Sequence, residues 1–193
     1  MLLFLDTETT GLPKSSSDDQ DKWPRVVQLA WSLYDNEGNR ESRNCFIIYP
    51  VDFTIPRDAA RIHGITTDRA KSEGVSLHKV LPQFNADAEK ATTIIAHNLA
   101  FDLPIVTTEF LRCRLETNLL KKRNFCTMRA PAIISYCKLP KKSGTGHKWP
   151  TLSELHLQVF GTEFTGSHDA GADVEACARC YFELCRRGII GLS

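Results

Sequence analysis

Two carboxylates stand two residues apart, Asp6 and Glu8, after the apolar run Leu2-Leu3-Phe4-Leu5 and before Thr9-Thr10-Gly11. The run reads as a buried strand. Alternate strand residues point to one face, so the two carboxylates project together. Like charges held that close repel each other unless a cation lies between them. A hard divalent ion, which favours oxygen ligands, would fill that role. The plainer alternative is an N-terminal strand running into an acidic turn.

Three more groups extend the pattern. Asp102 closes the segment Ala96-His97-Asn98-Leu99-Ala100-Phe101-Asp102, which follows a second apolar strand, Thr93 to Ala96. His168 precedes Asp173 by five residues in Ser167-His168-Asp169-Ala170-Gly171-Ala172-Asp173. In type, order and spacing these motifs (Asp-x-Glu, an Asp in the context His-Asn-x-x-Phe-Asp, and His-x4-Asp) resemble the DEDDh 3′→5′ exonucleases. The resemblance runs over nearly the whole chain, residues 2 to 185.

The resemblance implies hydrolysis of a phosphodiester with two Mg²⁺ or Mn²⁺ ions, an arrangement in which paired metals neutralise the phosphate and activate water. Asp6 would bridge both ions, Glu8 and Asp173 would complete the water-activating site, and Asp102 would support the second ion. His168 is the natural general base, since an unperturbed imidazole has a pKa of ~6.5, near the operating pH. Five residues at roughly 100° each leave two helical side chains ~140° apart. His168 and Asp173 therefore cannot share a face of one regular helix, and the histidine is expected on a loop or first turn, free to swing toward the metals.

Weaker assignments surround this set. The backbone amides of Thr9 and Thr10, which follow the metal carboxylates, are expected to meet the terminal nucleotide, and Leu12 to pack against its base. His63, in Ile62-His63-Gly64-Ile65, resembles a segment bordering the nucleotide pocket in this family; it reads equally as a helix-end histidine beside a glycine cap. Asn98 and Phe101 either support the site or pack the fold. In Lys148-Trp149-Pro150 the aromatic either contacts nucleic acid or, as is commoner before a proline, packs.

The expected activity is a metal-dependent 3′→5′ exonuclease that releases nucleoside 5′-monophosphates from a nucleic acid with a free 3′ end. DNA, and single-stranded DNA first, is favoured, because Asp-Thr-Glu-Thr-Thr-Gly looks more like the proofreading and DNA-trimming branches than the oligoribonuclease branch. An exoribonuclease and a proofreading subunit acting only with a polymerase partner are the alternatives. A non-catalytic binding module would be expected to lack at least one of the carboxylates, and none is missing.

Composition sets the frame for these residues. The chain has 193 residues, 42% apolar and 24% charged, and reads as one exonuclease domain over residues 1–193. No apolar run approaches the ~20 residues needed to span a bilayer, so no membrane association is expected. The opening apolar run stops at Asp6, too short for a signal peptide. Seven cysteines at 45, 113, 126, 137, 177, 180 and 185 suit reduced thiols and a cytoplasmic location, with Cys177 and Cys180 read as core packing rather than a zinc pair. Ten of the Lys and Arg residues, against one acidic residue, fall between Leu111 and Pro150; that segment carries +9, and the rest of a chain of net charge +1 carries −8. Such asymmetry points to a basic face for a polyanion beside an acidic site, or to solvated lysines on exposed helices.

The elements that must position the site follow from periodicity. Strands are expected over Leu2 to Asp6, Arg25 to Tyr34 and Ser42 to Tyr49, the last two joined by the turn Asp35-Asn36-Glu37-Gly38. A polar loop, Lys14 to Lys22, either rims the cleft or is ordinary surface. Helices are expected over Arg57 to His63, Ser76 to Ala88, Asp102 to Arg114, Ala130 to Cys137, Thr151 to Phe160 and His168 to Arg187. Short strands fall at Thr93 to Ala96 and Phe125 to Thr127, and Lys138 to Pro150 reads as a mobile connection. A meander followed by alternating helices and strands makes an α/β fold with a mixed sheet flanked by helices. The resemblance implies the ribonuclease H-like arrangement of five strands, order 3-2-1-4-5 with strand 2 antiparallel. Asp6 and Asp102 would then lie at the carboxyl ends of adjacent parallel strands, where open α/β sheets bind ligands.

Overall fold

The apolar run that starts the chain becomes the first half of the central strand, β1 (Leu2–Thr9), flanked by β2 (Val26–Tyr34) on one side and β4 (Thr93–Ala96) on the other. A strand covered on both faces has no reason to alternate apolar and polar residues; accordingly Leu2 to Leu5 and all nine residues of β2 are buried. β3 (Arg40–Ile47) and β5 (Arg123–Cys126) form the edges and are largely exposed or half-buried. The sheet order is β3-β2-β1-β4-β5, with β2 antiparallel to both its neighbours and β1, β4 and β5 parallel. This is the expected ribonuclease H-like sheet. The computed structural model describes residues 1–13 and 22–192; most of the expected Lys14 to Lys22 loop lies outside them.

Among the described residues there are seven α-helices: α1 (Arg57–His63), α2 (Thr67–Glu73), α3 (Leu77–Lys90), α4 (Leu99–Arg112), α5 (Pro131–Cys137), α6 (Leu152–Phe160) and α7 (Ala170–Arg186). The alternation of β1 divides them into two layers. Leu3 and Leu5 face the cluster made with Phe84 of α3 and Leu103, Val106 and Phe110 of α4. Leu2 and Phe4 face the opposite side, where Val174, Cys177 and Tyr181 of α7 pack on them; the Phe4 and Tyr181 rings meet edge to face at 5.4 Å. By the same parity Asp6 and Glu8 look toward α7, and Thr7 toward α4.

Several boundaries differ from those expected. β1 runs on to Thr9 rather than stopping at Asp6, because Asp6, Thr7 and Glu8 still pair with Ala30, Leu29 and Gln28. β3 and β5 begin two residues earlier than expected. α4 begins almost a turn earlier, at Leu99, behind Asn98 in the left-handed region (φ 80°), which puts Asp102 inside its first turn. α7 begins later, at Ala170. The short helix α2 was not anticipated: its sequence TDRAKSE buries only Ala70, so it has no apolar stripe, and its start is marked only by the Thr66 hydroxyl accepting from Arg69 N. The Lys138 to Pro150 connection is held together by an antiparallel bridge between Pro140 and His147, and Lys148 N donates to Leu139 O at 2.9 Å.

Candidate active site

Asp6, Glu8 and Asp173 each offer a carboxylate oxygen within 4.8 Å of the other two. β1 supplies the first two through its period of two, and α7 supplies the third from its first turn. The fourth carboxylate, Asp102, arrives from the other layer. It is 2% exposed, and its Oδ1 accepts from the Thr7 amide at 3.0 Å and the Thr7 hydroxyl at 2.8 Å. The structure thus brings Asp102 to the strand between Asp6 and Glu8, one step removed from the tight triplet.

Negative charge is costly in this arrangement, and the proton affinities show it. Burial, followed by the charges of Asp102, Asp173, Glu8 and Asp169, pushes the Asp6 pKa well above the usual carboxylate range. Burial, with Asp173, Asp102 and Asp169 adding to it, raises Glu8 to about 8. Burial raises Asp102 to about 7 despite the two hydrogen bonds from Thr7, and Asp173 to about 6 despite the amide of His168. Four acids whose charged forms are all disfavoured, presenting only oxygen, suit a hard divalent cation, which inverts this local balance.

His168 sits outside α7, exposed, with φ 69°. Its backbone amide donates to Asp173 Oδ2 at 3.0 Å. The histidine is therefore on a loop, as the spacing argument required, and the loop is pinned to the carboxylate it accompanies. Gly171, on the first turn of α7, packs closely: a Cβ there would lie 3.1 Å from Asp169 Oδ1 and 3.2 Å from Cys45 Sγ. A cavity of 350 Å³ opens here, lined by Asp6, His97, Thr151, Leu152, Ser153, Ser167, His168 and Asp173.

The remaining expected residues are placed unevenly. His63 is buried at the end of α1; its Nδ1 accepts from Ile65 N at 3.1 Å, and its Nε2 has no hydrogen-bond partner among the described residues. Burial lowers its pKa, the Thr9 backbone opposing and His168 reinforcing. His63 thus sits at the helix end beside the Gly64 cap. The Thr10 amide does not face a ligand: it donates to Arg25 O at 3.0 Å, closing the end of the β1–β2 ladder. The Thr9 hydroxyl donates to Gly11 O. Leu12 is 80% exposed at the rim, Phe101 packs against the α3–α4 core, and Asn98 Oδ1 accepts from Arg129 at 3.4 Å.

Three residues that shape the site carried weak sequence signals. Thr7 holds Asp102, and only the parity of β1 could have pointed to it. Gln28 is the one amide in the apolar strand VVQLAWSLY; opposite Glu8 in register, it accepts from Ala170 N and donates to Asp169 Oδ2, both at 3.0 Å, and so clamps the start of α7. His97 lines the cavity; its Nε2 bonds Pro150 O at 3.1 Å and its Nδ1 the Thr127 hydroxyl at 2.9 Å. Burial drives its pKa down to about 4, so it is a neutral tie rather than a charge.

The basic segment is less uniform than its +9 suggests. Arg112 bonds Glu109 and the Trp23 and Pro24 carbonyls, Lys122 bonds the Glu89 and Ala91 carbonyls, and Lys148 pairs with Glu154 at 2.5 Å. These cations hold the fold, so the expected single basic face is partly spent on internal contacts.

Residues 3–181 match the RNase_T family, described as exonuclease. The DNA polymerase III subunit epsilon of Treponema pallidum (strain Nichols) is 28% identical over 176 residues, covering 91% of this chain and 72% of that protein. Among solved structures, E. coli exonuclease I in complex with a dT13 oligonucleotide superposes with a TM-score of 0.75 at 20% identity, over 96% of this chain and 40% of that one. Its complex with dA16 gives 0.77 at 20% identity, over 96% and 41%, and the zinc-bound form with single-stranded DNA gives 0.73 at 22%, over 96% and 40%. At that identity the likeness is one of fold, and the chain spans about two fifths of the exonuclease I length.

Proposed function

The chain belongs to the RNase_T exonuclease family, of the DEDDh 3′→5′ type, and from that premise we propose that it is a metal-dependent exonuclease releasing nucleoside 5′-monophosphates from a 3′ end, single-stranded DNA foremost. The observation that supports this best is the convergence of Asp6, Glu8 and Asp173 within 4.8 Å, beside a histidine tethered to Asp173.

The all-oxygen triplet fits a divalent ion such as Mg²⁺ or Mn²⁺, and a pair of them is the reading proposed. Asp6, Glu8 and Asp173 would hold one, and Asp6 with Asp102 the other. Such a pair neutralises the phosphate and lowers the pKa of the attacking water. The rest is the work of the chain's own side chains. His168, on the loop tied to Asp173, would accept the proton of the water through its imidazole. Thr7 donates twice to one Asp102 oxygen and so holds the carboxylate in place beside β1. Gln28 and Asp169 fix the start of α7, and with it the distance of Asp173 from β1. Thr9, Leu12 and His63 border the terminal nucleoside.

The residues 1–193 are read as one exonuclease domain. The named relative is a polymerase III subunit, which favours a polymerase partner as the second reading. The seven free cysteines accord with a reducing, cytoplasmic setting, and no described helix is long and apolar enough to cross a membrane. End-labelled DNA and RNA strands incubated with Mg²⁺ or Mn²⁺ test the proposal. The expected products are mononucleotides shortened from the 3′ end, DNA faster than RNA, with all turnover lost in EDTA. Endonucleolytic fragments, or full activity in EDTA, would overturn it.

A further inference from the structure

Trp149 is 53% exposed, yet the chain around it is fixed on both sides. Before it, the Lys148 ammonium pairs with Glu154 at 2.5 Å. After it, Pro150 O is bonded to His97 Nε2 at 3.1 Å, and Thr151 caps α6 with a reciprocal Thr151–Glu154 box. The Arg129 guanidinium lies over the indole, 4.6 Å from the ring centroid, and its Nη2 donates to Asn98 Oδ1 at 3.4 Å. His97 and Thr151 line the cavity that holds Asp6, His168 and Asp173. A large aromatic ring is thus held rigidly in solvent, within two residues of the candidate active site along the chain.

We infer that Trp149 and Arg129 form a stacking platform for an unpaired base of the strand whose 3′ end occupies the carboxylate site, an inference that rests on the exonuclease reading above. A tryptophan serving only to pack is placed as Trp31 is, with no exposure. Trp149 instead presents its ring beside a cation, the pairing by which proteins hold single strands: any base offers a π-face, and arginine adds both cation–π attraction and a charge for the neighbouring phosphate. The choice of a stack rather than hydrogen bonds to base edges suits an enzyme that trims any sequence. Lys138, Lys141 and Lys142, on the same connection, are exposed, and they add positive potential along the path of the strand. Because the backbone is tied at Lys148 and Pro150, little ordering is left to be done on binding, which favours affinity.

The test compares two substrates on the full chain: a short oligothymidylate, and the nitrophenyl ester of thymidine 5′-monophosphate, which has no neighbouring base. For Trp149→Ala the ratio of kcat/KM on the oligonucleotide to that on the ester is expected to fall roughly 5- to 100-fold, the range of one base–aromatic stack, through KM rather than kcat. Trp149→Phe, which keeps a ring, should recover most of it. In a His168→Ala background, which slows turnover, the oligonucleotide should quench tryptophan fluorescence, and Trp149→Phe should abolish most of that quench. An unchanged ratio in Trp149→Ala, or a quench that survives Trp149→Phe, overturns the platform and leaves the exonuclease reading standing. A wild-type protein inert on both substrates overturns that reading and the platform with it.

Discussion

Thr7 and Asp102 are joined twice: the Thr7 amide and hydroxyl both donate to one oxygen of the Asp102 carboxylate, at 3.0 and 2.8 Å. The pair spans the two layers of the fold, because β1 turns Thr7 to the α4 side and Asp6 and Glu8 to the α7 side. Asp102 therefore reaches the site through the strand, held by the one residue of Asp6-Thr7-Glu8 that is not itself acidic. Thr7→Val keeps the shape and removes the hydroxyl bond. Outer-shell partners of this kind typically cost about 10- to 100-fold in metal affinity or activity when lost. We expect that loss in kcat or in the Mn²⁺ midpoint of activity, with a melting temperature close to wild type. Wild-type metal dependence would show that Asp102 needs no such anchor.

Without metal, stability should fall as pH rises. A carboxylic acid whose pKa is raised on folding keeps its proton better in the native state, so its contribution is full below the ordinary value and is lost on the way up to the raised one. For Glu8 that window runs from 4.5 to about 8, and for Asp102 from 3.8 to about 7. His97 acts in the opposite sense, from 6.5 down to about 4, so the interval from pH 6.5 to 8 isolates the carboxylates. Thermal melts of EDTA-treated protein should show the midpoint falling across that interval, and Glu8→Gln should flatten the slope. Added Mn²⁺ should raise the midpoint more at the upper end than at the lower. A midpoint that climbs from pH 6.5 to 8 in EDTA would contradict the raised pKa values.

His168 is exposed, and its backbone amide donates to Asp173, a bond that His168→Ala preserves. The variant should bind Mn²⁺ and an oligonucleotide as the wild type does, with turnover lower by roughly 10²–10⁴-fold, the usual contribution of a general base. Turnover close to wild type in the alanine variant would remove His168 from the mechanism.

Gln28 tests how α7 is set against β1. Its amide is 4% exposed, and it satisfies both Ala170 N and Asp169 Oδ2. Gln28→Met fills the volume but leaves the buried Ala170 amide without a partner, a loss of about 1–3 kcal/mol. Chemical denaturation should show that loss, accompanied by weaker Mn²⁺ activation as Asp173 drifts from Asp6 and Glu8. Gln28→Glu, which still accepts from Ala170 N but repels Asp169, should recover less than full stability. A Gln28→Met protein as stable as wild type would mean that α7 is placed by its apolar face alone.

What the chain states locally was legible in it. The unbroken apolar runs Leu2 to Leu5 and Val26 to Tyr34 mark strands covered on both faces, since a strand with one wet face would alternate. The acidic and histidine positions, and the exclusion of His168 from the face of Asp173, follow from spacings of two and five residues, which backbone geometry converts directly into direction. The sheet order came from the resemblance of the motifs rather than from periodicity. What depends on contacts between distant segments was not legible. That Asp102 enters from the far layer through Thr7, ninety-five residues away, that Gln28 closes on Asp169, and that Arg129 covers Trp149 are all decided by how the layers stack. The basic segment makes the same point: its +9 is visible in the sequence, but whether Lys148 meets solvent or Glu154 depends on where α6 comes to rest. Local spacing carries no record of such partners, because in the unfolded chain they are not neighbours, and it is the burial of the two apolar faces of one sheet that brings them together.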